Sequence, residues 1–263
     1  MENVKIAVIG GTGIYSEDIL ENVKTKKVRT PYGDPSSKIR IGSLREKRIA
    51  FLFRHSEKHS IPPHRVNSPA NIHALKELGV ERIIGITAVG SLKEEMKPGD
   101  IVIPDQFIDM TKQRVSTFFD GPKVAHVSMA DPFCGEMRDL ASKTIQSLGI
   151  RFHKKGTCVC IEGPRFSTRA ESDLWRLMKA DIIGMTLIPE AVLAREKEIC
   201  YLSISSVTDY DCWRKNEKVS ATNVIETMKK STENIKKILE NLIPNIPEKR
   251  ECACSRALEN AFL

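Results

Sequence analysis

The chain lacks the long apolar runs that cross membranes. No stretch approaches the roughly 18 uninterrupted apolar residues of a membrane-spanning helix. The first residues, Met1 to Ile6, also lack the basic segment followed by an apolar segment that is typical of a secretory signal. We therefore expect a cytoplasmic protein with no membrane partner.

Glutamine is scarce, and positive charge is in only moderate excess. Gln occurs only at positions 106, 113 and 146 while Lys and Glu are abundant, a bias that leans towards a thermophilic source. The 41 basic and 34 acidic residues give a formal net charge of +7, which raises the question of nucleic-acid binding. Because both signs are interleaved and no aromatic-rich basic motif is present, we expect no nucleic-acid partner. Small anionic substrates fit the charge equally well.

The seven cysteines do not form the dense pattern of a secreted disulfide scaffold. Cys252 and Cys254 flank one alanine in a polar C-terminal segment, but a zinc site would need a second pair at similar spacing. No such pair stands out, so we expect no metal. Disulfides among Cys134, Cys200, Cys252 and Cys254 are an open alternative, since intracellular disulfides occur in hyperthermophiles, and sequence does not give their pairing.

Short apolar runs alternate with amphipathic stretches along the chain. Buried strands are predicted at 4–9, 48–53, 82–90, 100–108, 155–163, 180–186 and 198–205. Segments of helical period lie at 68–78, 132–148, 167–178, 189–196 and 222–242. This alternation predicts an α/β fold with one domain in residues 1–245, a central mixed β-sheet flanked by helices on both faces. Residues 246–263 resemble a loose C-terminal tail that carries the Cys-x-Cys motif.

A glycine turn, Gly10 to Gly13, follows the first predicted strand. It lacks the third glycine of the dinucleotide fingerprint and the Gly-Lys-Ser/Thr of a Walker loop. What remains is a tight turn whose backbone N–H groups and Thr12 hydroxyl can hold one phosphate. An ordinary turn is the alternative.

Arg54 and His55 directly follow another predicted strand. An Arg guanidinium can bind an oxyanion through two parallel hydrogen bonds. His55 and His59 are four residues apart, as zinc ligands on a helix would be, but they do not form His-Glu-x-x-His and Pro62-Pro63 soon interrupts a helix. We therefore expect an anion site here rather than a metal site.

Three further strand ends carry small or flat side chains. Thr87-Ala88 leaves room for a ligand, and Met185-Thr186 ends another predicted strand. Phe166-Ser167 follows a Gly-Pro turn, where the ring can stack on a planar base with a gain of about 1–3 kcal/mol. A plain strand-to-loop transition is the alternative for Thr87-Ala88, and core packing is the alternative for Phe166 and for Met185-Thr186.

Two carboxylates follow the strand predicted at 198–205, in the segment SVTDYDCW. On an extended segment residues two apart point to the same face, so Asp209 and Asp211 are expected to face one pocket. A solvated Asp pair in a turn is the alternative.

Several segments together resemble one family. They are IGGTGIY, RHSEKHSIPPHRVN, TAVGSLKEEMKPGDIVIPDQFID, MADPFC, TCVCIEGPRFSTRAES, GMTLIPEAVLAREKEICY and TDYDCW. In this order they resemble the trimeric purine nucleoside phosphorylases, and among them the 5′-methylthioadenosine phosphorylases, from about residue 4 to residue 243. The Cys-Ala-Cys tail looks like the archaeal, thermophilic branch.

The resemblance implies phosphorolysis of 5′-methylthioadenosine, with inorganic phosphate as co-substrate and no metal or other cofactor. Phosphate attacks C1′ while the purine leaves through an oxocarbenium-like transition state. The catalytic residues would be Asp209, which when protonated donates to N7 of the base, and its partner Asp211. The phosphate site would be Thr12, Arg54, His55, Thr87, Ala88 and Thr186, and the nucleoside site Phe166, Ser167, Met185, Asp209 and Asp211.

The same resemblance places the 5′-substituent in an apolar pocket made by the last helix and by a histidine of a neighbouring subunit. The matching residues are Ala221, Val224, Ile225 and His126. A shared pocket implies a homotrimer or a dimer of trimers. Asp rather than Asn at position 209 favours a 6-aminopurine; a broader or 6-oxopurine nucleoside phosphorylase, including one for methylthioinosine, is the alternative. From other classes, a nicotinamide dehydrogenase and a non-catalytic nucleotide-binding module stay open.

Overall fold

A computed structural model of the chain describes residues 4–11, 19–214 and 219–263. The strands in this part are β1 (Ile6–Gly10), β2 (Glu21–Lys26), β3 (Ile39–Leu44), β4 (Lys47–Phe53), β5 (Arg82–Ser91), β6 (Ile101–Val102), β7 (Gln106–Met110), β8 (Phe152–His153), β9 (Thr157–Ile161), β10 (Ile182–Gly184) and β11 (Cys200–Asp209). The α-helices are α1 (Ser68–Glu77), α2 (Gly135–Ser147), α3 (Arg169–Leu177), α4 (Leu187–Glu196) and α5 (Ala221–Leu242).

The strands form one mixed sheet that divides at β5. Along one path the order is β2-β3-β4-β1-β5-β10-β9-β7, while β11 pairs with β5 and leads through β6 to β8. β5 is parallel to β1 and to β11, and antiparallel to β10. Because β5 contacts three strands, the ends of β1, β10 and β11 are gathered around it.

Helices cover both faces of the sheet, as alternation along β1 shows. Ala7 and Ile9 belong to one apolar cluster, together with residues of α1 and α4. Ile6 and Val8 belong to another, together with residues of α2 and α5. Successive side chains of a strand point to opposite faces, so the sheet is buried on both sides and the predicted α/β class is confirmed.

The predicted strand pattern is wrong in several places, and it also lacks β3 and the two-residue β8. The run 100–108 is two strands, β6 and β7, which are separated at Pro104, a residue without a backbone N–H. The edge strand β2 was missed because all six of its residues are exposed and it has no apolar run. Among the described residues, no helix is long and apolar enough to cross a membrane.

The C-terminal segment after residue 245 packs against the body of the protein instead of lying loose. Cys254 and Ala261 are buried. The Glu136 carboxylate accepts hydrogen bonds from the backbone N–H groups of Glu251 and Cys252, at 3.1 and 3.2 Å. The domain boundary at residue 245 stays a prediction.

Candidate functional site

A cavity of about 290 Å³ lies where several strands end. The sequence-derived candidates among its lining residues are Arg54, His55, Thr87, Ala88, Phe166, Ser167, Met185, Thr186, Asp209, Asp211, Ala221, Val224 and Ile225. Thr12 lies outside the described residues, whereas Gly11 before it lines the cavity. Ligands of α/β sheets gather at strand ends of this kind. The structure thus brings the candidates together, while their individual roles stay predictions.

Arg54 is held in a buried network directly beneath the cavity. Its Nε donates to Glu190 Oε1 at 2.5 Å and its Nη2 to Oε2 at 2.9 Å. Its Nη1 donates to the backbone oxygen of Ile86 at 2.7 Å, and the Tyr201 hydroxyl donates to Glu190 Oε2 at 2.8 Å. A guanidinium has five N–H groups in one rigid plane. Three of them make these bonds, and the Tyr201 hydroxyl also contacts the guanidinium.

Charge within this network is balanced. Burial alone would lower the pKa of Arg54, but the Glu190 charge and hydrogen bonds outweigh it and the pKa is raised. Burial, followed by the Glu190 charge, raises the pKa of Tyr201 well above its ordinary value, so the phenol is neutral and donates. Paired in this way, Arg54 offers directed N–H groups without leaving an uncompensated buried cation.

Two glycines make room for the network. A Cβ on Gly85 would lie 2.2 Å from the Tyr201 hydroxyl oxygen. A Cβ on Gly11 would lie 2.8 Å from Arg54 Nη1 and 2.9 Å from the Ile86 oxygen. Both separations are too short for real atoms, so glycine at these positions is what lets the Arg54 side chain reach the end of β1.

His55 presents a hydrogen-bond acceptor. Its Nδ1 lies 2.8 Å from the backbone oxygen of Ile61, which can only accept, so Nδ1 carries a proton. Burial, and then the nearby Arg54 charge, lower the pKa of His55 to about 4. The ring is therefore neutral near pH 7, and its other nitrogen, Nε2, carries a free lone pair. It can accept from the O–H of a protonated phosphate oxygen.

Two threonines add hydroxyl groups beside this anion-binding side. Thr87 is buried in β5 and donates to Ser205 Oγ of β11 at 3.0 Å. Thr186 is the N-cap residue of α4, and its side chain makes no capping hydrogen bond. The α4 backbone is not helical at Ile188, where φ is −104° and ψ is 132°, so the regular helix begins after that residue. Thr186 therefore offers the cavity its side-chain hydroxyl and not a helix N-terminus.

The two aspartates reach the cavity by different backbone paths. β11 ends at Asp209, while Asp211 lies in a turn with φ of +50°. Asp211 N donates to Asp209 Oδ1 at 2.7 Å, an Asp turn of the kind these residues favour. The expectation of an extended segment through both residues is therefore wrong, although both side chains do line one cavity. Burial raises the pKa of Asp211, as removal from water does for a carboxyl group.

Phe166, Ser167 and Met185 form the wall beside the aspartates. A Cβ on Gly163 would lie 2.6 Å from Met185 Sδ, so the turn that leads to Phe166 packs closely on Met185. Phe166 is 39% exposed, so one part of its ring is open to a ligand. The Trp175 indole N–H reaches Ser167 Oγ at 3.4 Å and links this wall to α3.

On the opposite side, α5 contributes Ala221, Val224 and Ile225 near its N-terminus. His126 is not among the lining residues of the described chain. Its backbone N donates to Ala261 O at 2.7 Å. A contribution of His126 to a neighbouring subunit's pocket stays a prediction.

Four cysteines meet away from the cavity. The sulfur atoms of Cys134, Cys200, Cys252 and Cys254 all lie within 4.8 Å of one another, with Cys200 and Cys252 at 3.4 Å. All seven cysteines are free thiols in the structure. Cys252 and Cys254 of the tail thus lie beside Cys134 and Cys200, a second pair of cysteines that the spacing in the sequence did not reveal. Four thiolates can hold one soft metal ion such as zinc, and the same sulfurs are near enough to form disulfides after small shifts.

Sequence reasoning missed Glu190, which binds Arg54, Tyr201, which binds Glu190, and Arg114, which donates to backbone oxygens of Ile161, Glu162, Met185 and Ile188. Glu190 had a readable signal, because it is a single acid within the apolar run LIPEAVLA and buried acids need partners. Tyr201 lies in an apolar strand and resembles any core aromatic residue. Arg114 lies in the segment between β7 and α2, where nothing in the sequence distinguishes it.

Comparisons with known proteins agree with this geometry. Residues 5–244 match the family model described as "Phosphorylase superfamily". An S-methyl-5′-thioadenosine phosphorylase of Thermofilum pendens is 59% identical over 263 residues, which cover 100% of both chains. A methylthioadenosine phosphorylase crystal structure from an antarctic soil metagenomic library is 48% identical, with a TM-score of 0.95, over 100% of this chain and 93% of that one. The methylthioadenosine phosphorylase of Schistosoma mansoni in complex with adenine is 37% identical, with a TM-score of 0.90, over 94% and 93%. This chain therefore belongs to the phosphorylase superfamily.

Proposed function

We propose that the protein is a pentosyltransferase of purine salvage that converts 5′-methylthioadenosine and inorganic phosphate into adenine and 5-methylthioribose 1-phosphate. The observation that carries this proposal is one cavity with oxyanion-binding groups and a carboxylate pair. Arg54 and Thr186 provide donors for an anion, while Asp209 and Asp211 provide groups for the edge of a base. The names of the relatives support the same reaction.

The anion side fits phosphate as the nucleophile. The Arg54 guanidinium and the Thr186 hydroxyl are donors, and the Thr87 oxygen, whose hydrogen is donated to Ser205, is an acceptor. The free lone pair of His55 accepts from a phosphate O–H. Because the Arg54 charge is already paired with Glu190, the site directs phosphate by hydrogen bonds more than by net charge. This holds the attacking oxygen in place without binding it too strongly to react.

The carboxylate side fits a leaving purine. Asp209 Oδ1 accepts from Asp211 N, and its Oδ2 accepts from the Thr208 hydroxyl at 2.7 Å. The Thr208 hydroxyl has a second acceptor, Val89 O at 3.2 Å. When it turns to Val89, Oδ2 can carry a proton and donate it to N7 of the base, which relieves the negative charge that develops as the C1′–N9 bond breaks.

The base and the 5′-group are the narrower part of the proposal. While Oδ2 of the neutral Asp209 donates to N7, its Oδ1 can accept from a 6-amino group, which favours adenine over a 6-oxopurine. Ala221, Val224 and Ile225 make the adjoining wall apolar, which favours methylthio over hydroxyl at the 5′ position. A purine nucleoside or methylthioinosine phosphorylase is the alternative.

One experiment compares methylthioadenosine, methylthioinosine, adenosine and inosine, each with and without inorganic phosphate. Release of free base that requires phosphate, with the highest kcat/KM for methylthioadenosine, is the expected result. A clear preference for 6-oxopurines would contradict the substrate. The absence of any base release would contradict the reaction and favour a binding module.

Further parts of the proposal concern the protein's state in the cell. We propose a cytoplasmic enzyme from a thermophilic source that works as a homotrimer or a dimer of trimers, with His126 serving the neighbouring pocket. It takes phosphate as co-substrate, uses no metal or other cofactor, and has no nucleic-acid or membrane partner. The closeness of Cys134, Cys200, Cys252 and Cys254 supports disulfides among them.

A further inference from the structure

Arg114 uses its whole guanidinium to hold two chain segments together. Nη1 donates to Met185 O at 2.7 Å and to Ile188 O at 2.5 Å. Nη2 donates to Ile161 O at 3.2 Å and to Glu162 O at 2.6 Å, and Nε reaches Glu162 Oε1 at 3.5 Å. These five contacts match the five N–H groups of the side chain, which is only 5% exposed. Arg114 therefore has no N–H group left for a ligand.

The two segments carry opposite parts of the candidate site. Ile161 is the last residue of β9, and Glu162 after it leads through a Gly-Pro turn to Phe166 and Ser167. The other segment, residues 185–188, runs from the end of β10 into the first residues of α4 and supplies Met185 and Thr186. The backbone oxygens at the ends of the two segments all point to one guanidinium, so its plane sets their separation.

We infer that Arg114 is a positioning residue for the proposed phosphorolysis. It holds the wall that faces the base, Phe166 and Ser167, in register with the segment that faces ribose and phosphate, Met185 and Thr186. The inference rests on the proposed function of the cavity. Arg114 does not touch the cavity itself, and it acts through the backbone of both segments.

Lysine cannot replace this arrangement. Its ammonium group is a single point with three donors on a flexible stem, whereas the four carbonyl oxygens need a planar fork. Phosphorolysis needs the phosphate oxygen, C1′ and the base in line, and a misplacement of about 1 Å can cost about 100-fold in rate. A substitution of Arg114 leaves the residues that face the base and the residues that face the phosphate unchanged, and alters only how the two groups are placed relative to each other.

The test compares Arg114→Lys with Arg138→Lys. Arg138 is a matched control because it also donates to two backbone oxygens, those of Pro104 and Lys154, at 3.0 and 2.9 Å, and none of these residues lines the cavity. The measurements are kcat and KM for methylthioadenosine and phosphate, the binding of adenine alone and of phosphate alone, and the melting temperature.

For Arg114→Lys we expect kcat to fall about 100-fold while adenine and phosphate, each tested alone, bind nearly as in the wild type. Arg138→Lys should keep the wild-type kcat. A wild-type kcat in folded Arg114→Lys would overturn the inference, and so would a loss of single-ligand binding as large as the loss of rate. If Arg114→Lys does not fold, Glu162→Gln carries the test. It weakens the Nε contact of Arg114 and the bond from Lys112 N to Glu162 Oε2, and it leaves the four carbonyl contacts of Arg114 in place. A smaller loss confined to kcat supports the inference, and unchanged kcat overturns it. Failure of the proposed function would instead appear in the wild type, as no adenine release from methylthioadenosine.

Discussion

The buried ion pair under the cavity makes Glu190→Gln an informative substitution. The change keeps the side-chain volume but removes one negative charge and one of the two oxygens that Arg54 binds, at 2.5 and 2.9 Å. Arg54 and Glu190 are 1% and 0% exposed, so water cannot replace the lost partner. Removing one partner of a buried pair costs about 3–5 kcal/mol, because the remaining charge is left uncompensated. In addition, the new amide group would place a donor against a donor of Arg54 or Tyr201.

Glu171→Gln is the matched control. Glu171 also holds an arginine through two bonds, from Arg165 at 2.6 and 2.7 Å, but on the surface, where Arg165 is largely exposed. Glu171 also accepts from Thr168 N at 2.7 Å in the capping box of α3, a bond that glutamine can keep. Water takes over the bonds to Arg165, so the substitution should change stability little. Thermal and urea unfolding of both variants and the wild type give the comparison. Each lost kcal/mol lowers the melting temperature of a chain of this size by about 2–4 °C. Equal losses in the two variants would refute the argument that burial of the Arg54 pair sets the cost.

Two further predictions concern His55 and Asp209. The pKa of His55 is about 4 in the folded protein against 6.5 for a free histidine, so as the pH falls the unfolded chain takes up a proton first and stability is lost. This contributes about 3 kcal/mol above pH 6.5 that disappears as the pH falls towards 4. Urea unfolding at several pH values should show a weaker pH dependence in His55→Gln, and an identical dependence would contradict the assignment. Asp209→Asn should lower kcat on methylthioadenosine by about 10²–10⁴-fold while the protein stays folded, because an amide cannot deliver a proton to N7. An unchanged rate, measured by adenine release, would rule out Asp209 as the general acid.

The fold and the position of the cavity follow from patterns that a sequence displays directly. Buried strands appear as apolar runs, and the residue after a run must lie at a strand end. Arg54 could therefore be placed at the carboxyl end of β4, where ligands of parallel strands gather. Thr87 lies within β5 and Met185 follows β10, which is antiparallel to β5, so their closeness depends on that pairing and could not be read from the sequence. The pairing of β5 with three strands then gathers those ends into a single site.

The parts that sequence reasoning did not reach depend on contacts between distant positions. Arg54 and Glu190 are 136 residues apart, and no local pattern specifies that they meet. Asp211 has a positive φ and its backbone N–H donates to Asp209 Oδ1. The alternation of side chains along a strand does not predict such a turn. Arg114 is recognisable only when four carbonyl oxygens from two segments surround it. In each case the conformation or contact of the residue is determined by its partner, and the residue's own sequence surroundings do not indicate it.

The close approach of Gly85 to Tyr201 has an evolutionary consequence. Any side chain at position 85 would collide with the phenol, whose oxygen would be 2.2 Å from the new Cβ. A smaller residue at 201 would admit alanine at 85 but would remove the hydroxyl that Glu190 binds. Neither position can therefore drift alone, and a change at one is tolerated only with a change at the other. Among related sequences these two positions should therefore vary together. The effects of substitutions at positions 85 and 201 should be non-additive, and they should extend to Arg54 because Glu190 binds both Tyr201 and Arg54.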